Sequence, residues 1–153
     1  MNLAEQVLAS CRAQGLKIAT AESCTGGMVS AALTDVVGSS DVFERGFVTY
    51  SNEAKVEMLG VDPAIISEFG AVSAEVASQM ATGALTHSNA DIAISITGVA
   101  GPGASENKPE GLVWFGLAVK GQQVLTLKKQ FGPLGRALVR QASVTQALSM
   151  LVR

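Results

Sequence analysis

The residues best suited to chemistry lie in a short segment, 21–27, between a predicted strand and a predicted helix. It contains a candidate nucleophile, Ser23, together with Thr25, Gly26 and Gly27. A serine at a strand-to-helix turn lies beside unpaired backbone N–H groups, which together with the helix macrodipole favour an anion or a developing oxyanion. Serine, threonine and glycine are also common at helix starts. The segment alone therefore predicts either a nucleophile or a capped helix.

A serine needs a base to become a nucleophile, and Lys55 is the candidate in this chain. The only histidine, His87, is predicted at the end of a helix, where a solvated or helix-capping role is expected. A lysine kept neutral by desolvation or by nearby positive dipoles can accept the serine proton. Tyr50, at the end of the preceding strand pattern, could relay the proton or hold the amine. The alternative is that Lys55 is an exposed helix lysine that never meets Ser23.

The glycine-rich segment 97–103 begins with Thr97, at the end of another strand pattern. It lacks the Gly-Lys-Ser or Gly-Lys-Thr ending of a Walker loop and the following helix of a dinucleotide-binding turn. Glycines such as Gly98 and Gly101 can still present backbone N–H groups to a phosphate, and Thr97 adds a hydroxyl. Alternatively, the glycines only shape a long loop.

The two cysteines, Cys11 and Cys24, fit neither a disulfide framework nor a cluster of metal ligands. With one histidine and no Cys–His spacing, we predict no metal and no cofactor. Cys24 stays an alternative nucleophile, because a thiolate at a helix start is activated. The chain offers it no good histidine partner.

Composition narrows the functional class. The chain has 153 residues, of which 48% are hydrophobic and 16% charged, so we expect a single domain over 1–153 and a homo-oligomer such as a dimer. A net charge of −2 argues against nucleic acid as a partner. No signal peptide and no apolar run of the ~18 residues needed to span a bilayer are evident. We therefore expect a cytoplasmic protein with no membrane partner.

The order of the predicted elements indicates an α/β fold. Strands are expected over 16–20, 43–51, 91–97, 112–119 and 124–130, and Asn52 is expected to cap the helix that carries Lys55. The last two strands flank a turn signal at Lys120 to Gln122. We predict a three-layer α/β/α sandwich with a mixed, mostly parallel sheet and a late antiparallel hairpin. In such sheets, ligands bind outside the carboxyl ends of the strands.

Taken together, segments 21–27, 50–55 and 97–102 resemble the CinA C-terminal domain family. The resemblance runs from the first predicted helix to the last and includes Lys108, Pro109 and Gly111 before the 112–114 strand. Two departures are visible. The glycine-rich loop is shorter, with Ala104 and Ser105 where glycines are common, and segment 131–135 replaces a more acidic one.

The stand-alone enzymes of this family are nicotinamide-nucleotide amidohydrolases. The resemblance therefore implies deamidation of nicotinamide mononucleotide to nicotinate mononucleotide and ammonia, in pyridine-nucleotide salvage. It implies Ser23 as nucleophile, Lys55 as base and Tyr50 as their polar partner, with an oxyanion held by backbone N–H groups around Thr25 to Gly27.

Substrate contacts also follow from the resemblance. Thr97 falls at the family's substrate-side threonine, and Arg136 and Arg140 compete for the role of a late arginine that meets the phosphate. The rival interpretation is a non-catalytic nucleotide-binding or interaction domain. The intact set of Ser23, Tyr50 and Lys55 favours the enzyme.

Overall fold

The computed structural model describes residues 1–153 and contains five strands, six helices and one turn of 3₁₀ helix. In chain order they are α1 (Leu3–Ala13), β1 (Ile18–Glu22), α2 (Met28–Thr34), the 3₁₀ helix (Ser39–Asp41), β2 (Phe43–Val48), α3 (Asn52–Leu59), α4 (Pro63–Phe69), α5 (Ala74–Thr86), β3 (Ile92–Gly98), β4 (Leu112–Val119), β5 (Leu125–Gln130) and α6 (Arg136–Leu151).

The five strands form one mixed sheet in the order β2-β1-β3-β4-β5. β1 is parallel to both of its neighbours, β2 and β3. β4 is antiparallel to β3 and to β5, so the last two strands form the expected hairpin. The predicted α/β fold with a mixed sheet and a late hairpin is confirmed.

Each face of the sheet has its own core. The isoleucines of β3 pack with apolar residues of α1, α2 and α6 in the larger cluster. The alanines of β1 and β3 pack with α3 and α5 on the opposite face. Because side chains alternate along a strand, β3 presents Ile92, Ile94 and Ile96 to one layer and Ala93 to the other.

Small residues let α5 approach the sheet closely. A Cβ at Gly116 of β4 would lie 2.4 Å from the backbone oxygen of Ala77 in α5, so a larger residue there would push the helix away. The Ser95 hydroxyl of β3 donates to the same oxygen at 2.6 Å. These contacts hold α5 against the sheet. They thereby also fix the segment that precedes α5, Gly70 to Ser73, beside the site.

Several element boundaries differ from the sequence prediction, and three of them lie next to the site. β1 continues to Glu22, because it pairs with a strand on each side. β2 ends at Val48, before the predicted end. The cap of α3 is Ser51, whose side chain accepts the Ala54 N–H at 3.0 Å, and Asn52 is the first helical residue.

The register aligns the ends of the three parallel strands. Glu22, at the end of β1, pairs with Val48 of β2 and with Ile96 of β3. The residues that follow these strand ends therefore meet at one edge of the sheet, as expected for this architecture. None of the helices has the length and apolarity required to cross a bilayer.

Candidate active site

Ser23 is held in a tight turn directly after β1. Its backbone N–H donates to the Ile96 oxygen at 3.0 Å, and its backbone oxygen accepts the Gly26 N–H at 3.0 Å. Gly26 and Gly27 have φ values of +58° and +107°, which residues with a Cβ rarely adopt. The chain can therefore turn into α2 within four residues, leaving the Ser23 side chain 8% exposed at the turn.

A fully buried carboxylate, Glu22, anchors this turn. It accepts the Thr25 hydroxyl at 2.6 Å, the Val29 N–H at 2.9 Å, and the Ser30 N–H and hydroxyl at 3.0 and 2.8 Å. The negative charge lies at the amino end of α2, where the macrodipole favours it. The carboxylate thus joins β1 to α2 across the residues that present Ser23.

We expect Glu22→Gln to lower the free energy of unfolding by about 2–4 kcal/mol, because an amide leaves buried donors unsatisfied. Urea denaturation at pH 7 measures this. Glu57→Gln, at an exposed position of α3, is the matched control and should change stability by less than about 0.5 kcal/mol. Equal stability of the two variants would contradict the anchoring role of Glu22.

Lys55 reaches Ser23 from the first turn of α3. The lysine is 1% exposed, and its Nζ lies 3.0 Å from the Ser23 Oγ. The backbone oxygens of Thr49 and Tyr50 also lie 3.0 and 3.2 Å from Nζ. The structure therefore brings together the serine and the lysine, which are 32 positions apart in sequence.

Burial lowers the pKa of Lys55 from its usual value, and the neighbouring acidic groups of Cys24 and Glu106 oppose that shift. A neutral amine has two N–H donors and one lone pair. The Thr49 and Tyr50 oxygens can take both donors, so the lone pair is available to accept the Ser23 hydroxyl proton. This is the arrangement that a general base requires.

Ser23 and Lys55 open into a cavity of about 320 Å³. Its wall comprises Ser23, Cys24, Tyr50, Asn52, Lys55, Ala71, Val72, the run from Thr97 to Glu106, and Arg136. Among the predicted substrate-binding residues, Thr97, Gly98, Gly101 and Arg136 are in this wall. The Thr97 hydroxyl donates to the Ala71 oxygen at 2.8 Å and so also ties the strand end to the loop before α5.

Tyr50 contacts the Ser–Lys pair through its backbone oxygen. That oxygen accepts from the Lys55 amine at 3.2 Å and lies 3.5 Å from the Ser23 Oγ. Its phenol oxygen instead accepts from Arg136 at 3.0 Å. Arg136 also donates to the Gly101 oxygen at 2.6 Å, so one guanidinium connects two sides of the cavity.

Thr25, Gly26, Gly27 and Arg140 do not line the cavity. The Thr25 side chain is turned towards Glu22. Arg140 donates to the Cys24 and Thr25 oxygens at 3.1 and 3.4 Å, which stabilises the turn from behind. Of the two arginines, only Arg136 therefore lines the cavity.

Several backbone N–H groups near the cavity have no acceptor in the protein. In the Ser23 turn these are the N–H groups of Cys24, Thr25 and Gly27, and in the glycine-rich loop those of Ala100 and Gly101. The Gly26 N–H is different because it donates to Ser23. Buried backbone donors are nearly always paired, so free donors in a cavity wall are suited to an anionic ligand.

The Cys24 thiol is poorly suited to act as a nucleophile. Burial raises the pKa of this thiol to about 11, so it stays protonated near neutral pH. No group of three or more His, Cys, Asp or Glu side chains is arranged to hold a metal ion.

Sequence reasoning missed Asn52, Glu106 and Glu110. Asn52 and Glu106 line the cavity, and Glu110 accepts the Gly103 and Gly135 N–H groups at 2.8 and 2.9 Å. Those two backbone contacts lower the pKa of the Glu110 carboxyl. The only indication of Glu106 and Glu110 in the sequence was a carboxylate inside a loop rich in glycine and proline. That pattern is the same for a carboxylate that contacts a ligand and for one that holds the loop in place.

A model of the CinA C-terminal domain family matches residues 1–153. The chain belongs to this family. Among the curated relatives, the nicotinamide-nucleotide amidohydrolase PncC of Escherichia coli K12 is 50% identical over 144 residues, which cover 94% of this chain and 87% of that protein. PncC of Enterobacter agglomerans is 49% identical over 143 residues, covering 93% and 87% of the two chains.

Solved CinA-family structures share the whole fold. The competence/damage-inducible protein CihA of Agrobacterium tumefaciens is 47% identical, with a TM-score of 0.95 and coverage of 98% of this chain and 92% of that one. A CinA superfamily protein of Escherichia coli is 36% identical, with a TM-score of 0.92 and coverage of 98% and 88%. The predicted family and the three-layer architecture are confirmed.

Proposed function

We propose that this protein is a nicotinamide-nucleotide amidohydrolase, which converts nicotinamide mononucleotide to nicotinate mononucleotide and ammonia through a Ser/Lys acyl-enzyme mechanism. The observation that carries the proposal is the buried Lys55 amine, 3.0 Å from the Ser23 Oγ in a cavity wall. The names of the relatives that are about half identical to this chain supply the substrate.

The first step is attack on the carboxamide. The Ser23 Oγ bonds to the amide carbon while its proton passes to Lys55 Nζ, and the carbonyl oxygen becomes an oxyanion. Free backbone N–H groups of the Ser23 turn stabilise that charge, and the Cys24 N–H is the one whose residue lines the cavity. We therefore assign the oxyanion contact to the Cys24 N–H, one residue before the expected Thr25 to Gly27, because those three residues do not line the cavity.

Protonated Lys55 then gives its proton to the amide nitrogen, and the C–N bond breaks to release ammonia. The remaining ester on Ser23 is hydrolysed by water, which Lys55 deprotonates in the same way. As the ester C–O bond breaks, Lys55 returns that proton to the Ser23 Oγ. The cycle therefore ends with a neutral Lys55 amine and a Ser23 hydroxyl, and the acid product loses its own proton to solvent.

The phosphate of the nucleotide is best matched to Arg136. Its guanidinium lies in the cavity wall beside the free Ala100 and Gly101 N–H groups. Arg136 is also the first residue of α6, a 16-residue helix without a side-chain cap, so the positive end of its dipole adds to the charge. Arg140 acts as a support of the Ser23 turn.

We expect Arg136→Ala to lower kcat/KM for nicotinamide mononucleotide about 10–100-fold, since a charge-assisted phosphate contact is lost. With nicotinamide riboside, which lacks only the phosphate, the loss should be less than about threefold. Arg140→Ala is the control and should lower kcat/KM for both substrates in the same proportion. A selective loss with Arg140→Ala, or equal losses with Arg136→Ala, would remove Arg136 from the phosphate site.

Ammonia release from a panel of carboxamides, with and without a nucleotide phosphate, tests the function as a whole. Release from the mononucleotide well above that from nicotinamide supports the proposal. Binding of the mononucleotide with no ammonia from any carboxamide would instead indicate the non-catalytic nucleotide-binding domain.

Assembly and cellular location stay predictions. A homo-oligomer is supported by large apolar side chains that remain exposed, among them Leu125, Leu134 and Leu138. A cytoplasmic location is supported by the intracellular nature of a pyridine-nucleotide substrate.

A further inference from the structure

Glu106 is the only carboxylate among the residues that line the cavity. It forms no ion pair within 4.0 Å, and its one hydrogen bond is a long contact, 3.4 Å, from the Ala71 N–H. The nearby Lys108 ammonium is engaged by the Phe69 and Val72 backbone oxygens. A carboxylate with no ion-pair partner within 4.0 Å is thus part of the wall around the space that a substrate would occupy.

The backbone at this position is held in an uncommon conformation. Glu106 and Asn107 have φ values of +52° and +62°, the left-handed region that favours glycine. They are the two central residues of a tight turn closed by Ser105 and Lys108, which exchange backbone hydrogen bonds of 2.9 and 2.8 Å. Glutamate is a poor choice for such a turn, so its presence is better explained by what its side chain meets.

The cavity wall carries opposite charges on different elements. Arg136 approaches from α6, and Glu106 approaches from the loop between β3 and β4. The Glu106 charge also opposes the lowering of the Lys55 pKa, so it acts within electrostatic reach of the reacting atoms. A ligand that is anionic at one end and cationic near the carboxamide would complement this wall.

Nicotinamide mononucleotide is such a ligand, because the glycosidic bond to its ring nitrogen makes the pyridine a pyridinium cation. We propose that Glu106 is a specificity residue that recognises the positive charge of the pyridinium ring, an inference that rests on the proposed function. The Glu106 carboxylate therefore favours the binding of nicotinamides with a quaternised ring nitrogen over neutral ones. This preference is independent of the phosphate contact at Arg136.

Binding to oxidised and reduced nicotinamide mononucleotide tests this inference. The reduced form keeps the carboxamide, ribose and phosphate but has a neutral dihydropyridine ring. Calorimetry in a Ser23→Ala background measures Kd for both, since no turnover interferes. Adding Glu106→Gln should weaken binding of the oxidised form about five- to twentyfold and binding of the reduced form less than twofold.

Glu57→Gln in the same background is the matched control, because it removes an equal charge from the exposed face of α3. It should leave both Kd values unchanged. An equal effect of Glu106→Gln on the two ring forms, or no effect on either, would overturn the inference. If the unmodified protein released no ammonia from the oxidised mononucleotide, the proposed function itself would fail, which is a separate result.

Discussion

Ser23→Ala is expected to abolish ammonia release, with kcat reduced at least about 10⁴-fold, because Ser23 carries the only hydroxyl that is hydrogen-bonded to the Lys55 amine. The variant should keep its fold and bind nicotinamide mononucleotide, since the turn is held by Glu22 and by backbone hydrogen bonds. Steady-state ammonia release and circular dichroism measure the two properties.

Cys24→Ser is the matched control for Ser23→Ala, because it changes the neighbouring residue in the same turn. We expect it to retain more than about a tenth of the wild-type turnover, since the thiol stays protonated and the backbone N–H is kept. In rapid-quench mass spectrometry, the transient adduct should map to Ser23. Loss of activity in Cys24→Ser together with an active Ser23→Ala would show that the serine mechanism is wrong.

Lys55→Arg is expected to lower kcat at least about 10³-fold, because a guanidinium stays protonated and cannot accept the serine proton. Lys55→Ala should be similarly inactive yet still bind the mononucleotide, since the role of the amine is proton transfer. Calorimetric titration of Lys55→Ala beside its turnover separates binding from chemistry.

The pH dependence of the wild type tests the same residue without a substitution. Burial lowers the pKa of Lys55, and only the neutral amine is a base. The value of kcat/KM should therefore be low where Lys55 is protonated, rise with pH through its lowered pKa, and level off below the ~10.4 of an exposed lysine. Substantial turnover by Lys55→Arg with an unchanged profile would mean that Lys55 is only a positive charge and the base is another group.

The pattern of strands and helices could be predicted because it depends on local periodicity. Alternation and apolar runs identified each strand, and the hairpin turn at Lys120 to Gln122 fixed the antiparallel end of the sheet. The residues after the strands then had to meet at one edge. Boundaries were less accurate, since the extension of β1 to Glu22 depends on hydrogen bonds to two other strands.

The choice of cap at α3 shows the same limit. Ser51 and Asn52 are both good caps by residue type. Ser51 takes the role because β2 ends at Val48 and leaves the Ser51 backbone extended, with a ψ of 162°. The helix therefore begins one position earlier than predicted, at Asn52, and Lys55 lies in its first turn.

Roles that depend on side-chain direction could not be predicted. The sequence names Tyr50 as the polar partner of the Ser–Lys pair without specifying the atom, and the structure shows that its backbone oxygen makes that contact while its phenol meets Arg136. Arg136 and Arg140 are one helical turn apart, and only the packing of α6 directs one to the cavity and the other to the Ser23 turn.

The sequence by itself determined the family and the layered α/β fold, and it made Ser23 and Lys55 the candidate catalytic pair, because these follow from local patterns and from motifs of specific residue types. Only the tertiary structure decided that the Lys55 amine is buried 3.0 Å from the Ser23 Oγ and that Glu106 faces the same cavity. The reason is physical. A hydrogen bond, a lowered pKa and a cavity wall depend on distances between residues far apart in the chain, and those distances are set by the packing of helices on the sheet.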